Sequence, residues 1–276
     1  MEEMKNLSYC LLLIFLILGG NGFAQNKDAV LDHDTFPVFS KNVAEKRTIN
    51  VWTPPEYGQS KDSLAVLYMP DGGIQEDFPH VANTVAELIR SKKIQPIILV
   101  GIENTQRRRD LTGFTAVESD KKIAPVVGGS EKFLAFIKDE LIPHINKHYR
   151  TTKQKAIIGE SAAGLFVVET FLNRPDIFDD YIAIDPSLWW NNHFLVKNAK
   201  ELLVKLPETE RKFWFAGSAA IDILPHTQEL ADILKSENLP HLKWNYSPEK
   251  NEKHNTIFRA TKEKALIWTF GLNNVQ

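Results

Sequence analysis

Residues 156–169 constrain the fold of this chain more than any other stretch. Ala156, Ile157 and Ile158 form a short apolar, β-branched run of the kind that fills a buried strand. Leu165, Phe166, Val167, Val168 and Glu169, after a run of small residues, read as a helix. Between them lies Gly159-Glu160-Ser161-Ala162-Ala163-Gly164, one serine among small neighbours. Strand, sharp turn and helix with serine at the apex is the context of a nucleophile elbow. Such a turn strains the serine backbone, so the residues two before and two after it must be small. Gly159 and Ala163 meet that need, although the usual pattern has Gly where Ala163 stands, and Gly164 is positioned to relax the crowding. Taken alone, the pentapeptide is also compatible with an ordinary Gly-Ser turn.

The rest of the chain repeats the alternation of strand and helix. Residues 36–40 and 47–53 read as a hairpin, with clear polar/apolar alternation in Thr48-Ile49-Asn50-Val51-Trp52 and a stop at Pro54-Pro55. Residues 64–69 and 97–102 are unbroken apolar runs, the mark of strands covered on both faces. Further strands are expected at 181–184, 212–216 and 242–246, and helices at 81–89, 194–205, 227–235 and 257–270. Ser130 is expected to cap a helix with apolar face Phe133, Phe136, Ile137 and Leu141, ended or kinked by Pro143. Residues 105–129 form a long connection without a pattern of their own, more often functional than idle. Strands alternating with helices imply a mostly parallel sheet with helices on both faces and an antiparallel N-terminal hairpin. In such sheets ligands bind beyond the carboxyl ends of the strands. Every candidate site residue below falls at such an end.

The first 24 residues differ. An unbroken apolar run from Leu11 to Leu18 follows Lys5 and leads through Gly-Gly-Asn-Gly-Phe to Ala24. This reads as a secretory signal peptide cleaved after Ala24, leaving residues 25–276 as one domain in the periplasm or outside the cell. The run is shorter than the roughly 20 residues a bilayer span needs, so no stable membrane insertion is expected after cleavage. Glu2 and Glu3 do not suit the start of such a leader, which makes Met4 the better initiator. The single cysteine, Cys10, lies within the leader, so the mature chain contains none and forms no disulfide. Removal of Glu2, Glu3 and Lys5 leaves 32 basic against 33 acidic residues, a balance that points to neither nucleic acid nor a membrane surface.

A serine is a poor nucleophile without a base. Of the eight histidines, His33, His80, His144 and His148 precede the serine. In α/β-hydrolase order the base follows the nucleophile and the acid lies between them. His254 stands out among His193, His226, His241 and His254, because it lies in the loop between the last strand and the closing helix. The acid that orients it is sought first in Asp222, which follows the strand at 212–216; Asp185 is the rival and Glu252 a weaker third. Backbone N–H donors for an oxyanion are expected from Ala162, the residue after the serine, and from Gly73 in the Asp71-Gly72-Gly73 loop.

With these residues in order, the chain resembles the esterase family of α/β hydrolases. The family includes esterase D, siderophore esterases, feruloyl and acetylxylan esterases, and mycolyltransferases. The resemblance rests on Leu67-Tyr68-Met69-Pro70-Asp71-Gly72, on Asn104-Thr105-Gln106-Arg107-Arg108-Arg109-Asp110-Leu111-Thr112, on the serine turn, on Asp185-Pro186-Ser187-Leu188-Trp189-Trp190 and on a late His254. It extends over about residues 34–272, and the second and fourth motifs are most similar to the siderophore-esterase branch. It implies an α/β-hydrolase fold, Ser161 as nucleophile, His254 as base, Ala162 and Gly73 as oxyanion donors, and hydrolysis of a carboxylic ester. The chain departs from the family at Ala163, and at Asp185, where Ser is frequent, which leaves the acid open between Asp222 and Asp185.

On the substrate side, Trp189 and Trp190 offer flat surfaces for a sugar or phenolic ring, or an acyl pocket, and at least one of them could equally be core. Arg107 to Arg109, Arg109 among them, offer guanidinium groups to an anionic substrate or to an internal partner such as Asp110. The expected partner is a small-molecule or glycan ester. No metal-ligand spacing, phosphate loop or dinucleotide fingerprint is present, so no metal and no cofactor are implied. Acyl transfer on the same fold and a binding protein that has lost catalysis are the two alternatives.

Overall fold

The computed structural model describes residues 28–272; the leader expected at 1–24 lies outside them. Eight strands form one sheet in the order β1-β2-β4-β3-β5-β6-β7-β8. The hairpin β1 (Asp34–Ser40) and β2 (Glu45–Trp52) is antiparallel, and β2 joins β4 (Ile97–Ile102) antiparallel. From there β3 (Leu64–Pro70), β5 (Thr151–Glu160), β6 (Asp180–Ile184), β7 (Arg211–Ser218) and β8 (Leu242–Glu249) pair in parallel. The parallel strands therefore release their carboxyl ends on one edge, which is where this architecture builds sites.

The apolar runs are buried on both faces by alternation. In β3, Val66 and Tyr68 enter one core and Ala65, Leu67 and Met69 the other. The helices α1 (Phe78–Arg90) and α9 (Ile257–Phe270) cover the second face. The first is covered by α4 (Ser130–Phe136), α5 (Ile142–His148), α6 (Ala162–Asn173), α7 (Trp190–Leu203) and α8 (Leu224–Glu237). Short helices α2 (Arg107–Leu111) and α3 (Glu118–Ile123) lie within the connection 105–129. Among the described residues no helix is long and apolar enough to cross a membrane.

Two local expectations change. Pro143 does not end its helix: a π turn, Ile137–Leu141, lets the Ile142 N–H reach the Ile137 carbonyl five residues back, and α5 restarts with proline in its first turn. There the missing N–H has no partner to lose. Ser130 is not a cap either. Gly129 holds that position, and the Ser130 hydroxyl donates instead to Glu169, 2.9 Å away. The first turn of α7 is left-handed at Asn191, Asn192 and His193.

Candidate active site

Ser161 sits between β5 and α6 with φ 59° and ψ −116°, a region that L-residues rarely occupy and that costs of order 1–3 kcal/mol. Neighbouring backbone holds it there. Its N–H donates to the Ile184 carbonyl at 3.0 Å, and its carbonyl accepts from Leu165 at 2.9 Å and Ser187 at 3.1 Å. A Cβ on Gly159 would lie 2.5 Å from the Ala163 carbonyl carbon, so glycine is obligatory there. The Ala163 methyl fits against that bare glycine. The second close approach falls at Gly164, where a Cβ would meet the Ile184 oxygen at 2.9 Å and the Pro186 Cα at 3.1 Å. The requirement for a small residue is thereby moved one position along the helix.

His254 comes from the turn between β8 and α9. Its Nε2 lies 3.0 Å from Ser161 Oγ and its Nδ1 lies 2.6 Å from Asp185 Oδ2. Asp185 is fully buried, and its carboxylate is held twice more: the Ser218 N–H donates to Oδ1 at 2.5 Å and the Ser218 hydroxyl to Oδ2 at 2.8 Å. The acid in contact with the imidazole is thus Asp185, not Asp222. Because β7 runs on to Ser218, Asp222 lands in the exposed turn beyond it. Asp185 leaves β6 where that strand lies beside the end of β5, in the register Glu160↔Ile184, so serine and acid emerge as neighbours. Glu252 accepts from the Thr256 hydroxyl at 2.7 Å, at the start of the closing helix. Of the other late histidines, His193 and His226 stack on each other with ring centroids 3.9 Å apart.

One acid was missed altogether. Glu160, immediately before the serine, has its Oε1 3.7 Å from His254 Nε2. Burial pushes its carboxyl up to about 8, with His254 and Arg107 opposing and Asp77 and Asp185 reinforcing the shift. His254 is in turn raised above its ordinary value, first by the hydrogen bond to Asp185 and then, against burial, by the charge of Glu160. The signal in the sequence was a lone acid inside an apolar and small-residue stretch. Glu160, Asp185 and His254 present ligand atoms within 4.8 Å of one another, but Ser161 and Asp185 already engage both ring nitrogens.

Beside the serine, the loop after β3 is tightly specified. Asp71 has φ 57°, and a Cβ on Gly72 would fall 2.2 Å from the Ile102 nitrogen. Asp71 accepts both edges of Arg107 at 2.6 and 2.7 Å and the Asn104 amide at 2.5 Å. Much of the Asn-Thr-x-Arg motif is therefore spent on holding this loop. The Gly73 N–H, the expected second oxyanion donor, donates to Glu76 Oε2 at 2.7 Å and is engaged. The Ala162 N–H occupies the first position of α6, where an N–H has no partner within its own helix.

Arg109 is not open to a substrate, since its guanidinium bonds Asp110 at 2.7 Å and Glu45 at 2.5 and 3.0 Å. Of the two tryptophans, Trp190 is buried and its indole N–H donates to the Gly113 carbonyl at 3.2 Å, tying down the long connection. Trp189 is half-buried against the core, its ring 5.9 Å from that of Trp190.

Known proteins share this sequence pattern and this fold. Residues 40–260 match the family model described as "Putative esterase". The chain is 30% identical over 198 residues to the ferri-bacillibactin esterase BesA of Bacillus subtilis; the match spans 64% of this chain and 66% of that protein, just under two thirds of its length. An IroE-like serine hydrolase from Shewanella oneidensis superposes with a TM-score of 0.77 at 25% identity, covering 87% of this chain and 80% of the other. The BES protein of Bacillus cereus shares the fold with a TM-score of 0.79 at 21% identity, covering 88% and 98%. The chain belongs to the esterase family of α/β hydrolases.

Proposed function

We propose that the chain is a serine carboxylic-ester hydrolase that works through an acyl-enzyme, with Ser161 as nucleophile, His254 as base and Asp185 as the acid that orients it. The observation that carries this reading is the unbroken line from Ser161 Oγ through both imidazole nitrogens to Asp185, at 3.0 and 2.6 Å. His254 Nε2 takes the hydroxyl proton as the oxygen attacks the ester carbonyl, then returns it to the departing alcohol. Water repeats the sequence on the acyl-serine. The Ala162 N–H supplies one donor to the oxyanion. Gly73 supplies a second when the Glu76 carboxyl turns aside.

The reading includes export, with residues 1–24 removed as a leader and residues 25–276 acting as one domain in the periplasm or outside the cell. Siderophore, carbohydrate or simple acyl esters are the proposed substrates, the first favoured by the relative named for ferri-bacillibactin. Trp189, half-buried beyond the end of β6, is the aromatic surface proposed for the substrate, and Arg107, partly exposed beside Glu160, is the guanidinium available to an anionic one. The test is hydrolysis of short p-nitrophenyl esters by wild type and Ser161→Ala. A loss of roughly 10⁴-fold or more in kcat supports the reading, and equal rates end it. The engaged Gly73 N–H favours one second reading, a chain that binds esters without turnover; labelling of Ser161 by a fluorophosphonate excludes it.

A further inference from the structure

A cavity of about 800 Å³ runs along the outer face of α6, between α4 and the start of α7. Ser161, His254, Asp185 and Gly73 are not among its lining residues, so it is separate from the serine site. Its size is that of a ligand pocket. Phe166 and Trp190 wall it, and Phe114 and Phe194 stand exposed at its mouth.

Among the described residues, two polar groups on this wall are incompletely matched: the half-buried Glu169 has no cationic partner, and the buried Thr170 has no hydrogen-bond partner. Glu169 accepts the Ser130 hydroxyl at 2.9 Å and the Gly113 N–H, but no cation pairs with it among the described residues. Glycine at 113 makes room for the carboxyl, since a Cβ there would lie 2.7 Å from Glu169 Oε1. Thr170, 1% exposed, lines the same cavity, and its hydroxyl has no hydrogen-bond partner. Native proteins rarely leave such atoms unpaired without a reason. A half-buried carboxyl with free lone pairs, a hydroxyl able to accept, and aromatic faces nearby are together complementary to one chemistry, an ammonium group on an apolar body.

We propose that this cavity is a binding site for a primary amine carried on an aromatic or aliphatic body, with the ammonium group seated between Glu169 and Thr170. The charges around the site agree with a cation. Glu131 of α4 lies close enough to Glu169 to repel its negative charge, Asp139 is a further acid on the lining, and Lys138 and Arg174 are the bases, the latter paired with Asp176. Burial pushes the Glu169 carboxyl up to about 7, and a cation seated beside it would favour its charged form. This site is independent of the ester-hydrolase reading.

The experiment is calorimetric titration of the protein with 2-phenylethylamine and with 2-phenylethanol, which share a skeleton and differ in charge. The amine binds more tightly, and its affinity rises about tenfold from pH 6 to pH 8 as a group titrating near 7 ionises, while that of the alcohol stays level. Glu169→Gln lowers the amine affinity by roughly tenfold to a hundredfold and leaves that of the alcohol within about twofold. The pH series on wild type keeps the proposal testable if that variant does not fold. Equal affinities for the two probes, an amine affinity flat with pH, or no amine binding at millimolar concentration would overturn it.

Discussion

Replacing Asp185 by Asn tests the line of catalytic hydrogen bonds, and the geometry dictates how the amide must sit. Oδ1 accepts from a backbone N–H, that of Ser218, which cannot turn into an acceptor. The amide oxygen of Asn must therefore take that place, and its NH₂ takes the place of Oδ2, facing His254 Nδ1 and the Ser218 hydroxyl. An NH₂ group donates, so Nδ1 becomes an acceptor and the proton moves to Nε2. An imidazole with its proton on Nε2 cannot take another from Ser161. In a well-studied serine protease the same change at the acid costs about 10⁴-fold in kcat, roughly 5 kcal/mol at 1.36 kcal/mol per decade. The prediction here is a loss of about that size in kcat/KM on p-nitrophenyl butyrate, measured from pH 6 to pH 9. Wild type should show an acid limb above the ordinary histidine value, because His254 is raised by Asp185 and must be neutral to act. Asp222→Asn, in the exposed turn, should change the rate by no more than about twofold. A rate for Asp185→Asn within about tenfold of wild type, or a large loss for Asp222→Asn, would refute the reasoning.

Other consequences follow from the same contacts. Glu160 is held neutral by burial, so folding raises its pKa, and wild type should lose stability as pH climbs from the unfolded carboxyl value through about 8. Glu160→Gln removes that loss, so its advantage in melting temperature over wild type should grow with pH and be smallest near pH 4. Gly72→Ala forces a Cβ to within 2.2 Å of the Ile102 nitrogen, and thermal melts should show destabilisation of at least about 1–3 kcal/mol. Arg109→Gln breaks the links to Glu45 and Asp110 and leaves the buried Arg47–Asp110 pair less supported, so the melting temperature should fall while KM for an uncharged ester stays unchanged.

Much of this architecture was written in local patterns. The unbroken apolar runs of β3 and β4 marked strands covered on both faces, and Ile157-Ile158-Gly159 before Ser161 marked the turn with its strain. The position of His254 followed from chain order. What could not be read was lateral. Asp185 and Asp222 both lie between serine and histidine, and only the pairing of β6 beside β5 decides which carboxyl reaches the imidazole. Ser218, which fixes that carboxyl, carries no signal of its own. Arg107 and Arg109 look alike in sequence, yet one braces Asp71 and the other is consumed by Glu45, a distinction made by partners 36 and 64 residues away. Likewise Ser130 carried the residue type of a cap, but Glu169 on a facing helix outcompeted the backbone for its hydroxyl.

Covalent catalysis at this site requires that an acyl group pass through Ser161. The direct measurement is an acid quench of the protein during turnover of p-nitrophenyl butyrate, followed by mass analysis of its peptides. A butyryl mass on the peptide carrying Ser161, absent from Ser161→Ala, is the predicted result. Turnover with no acyl group on that peptide, or with the group on another residue, would contradict it.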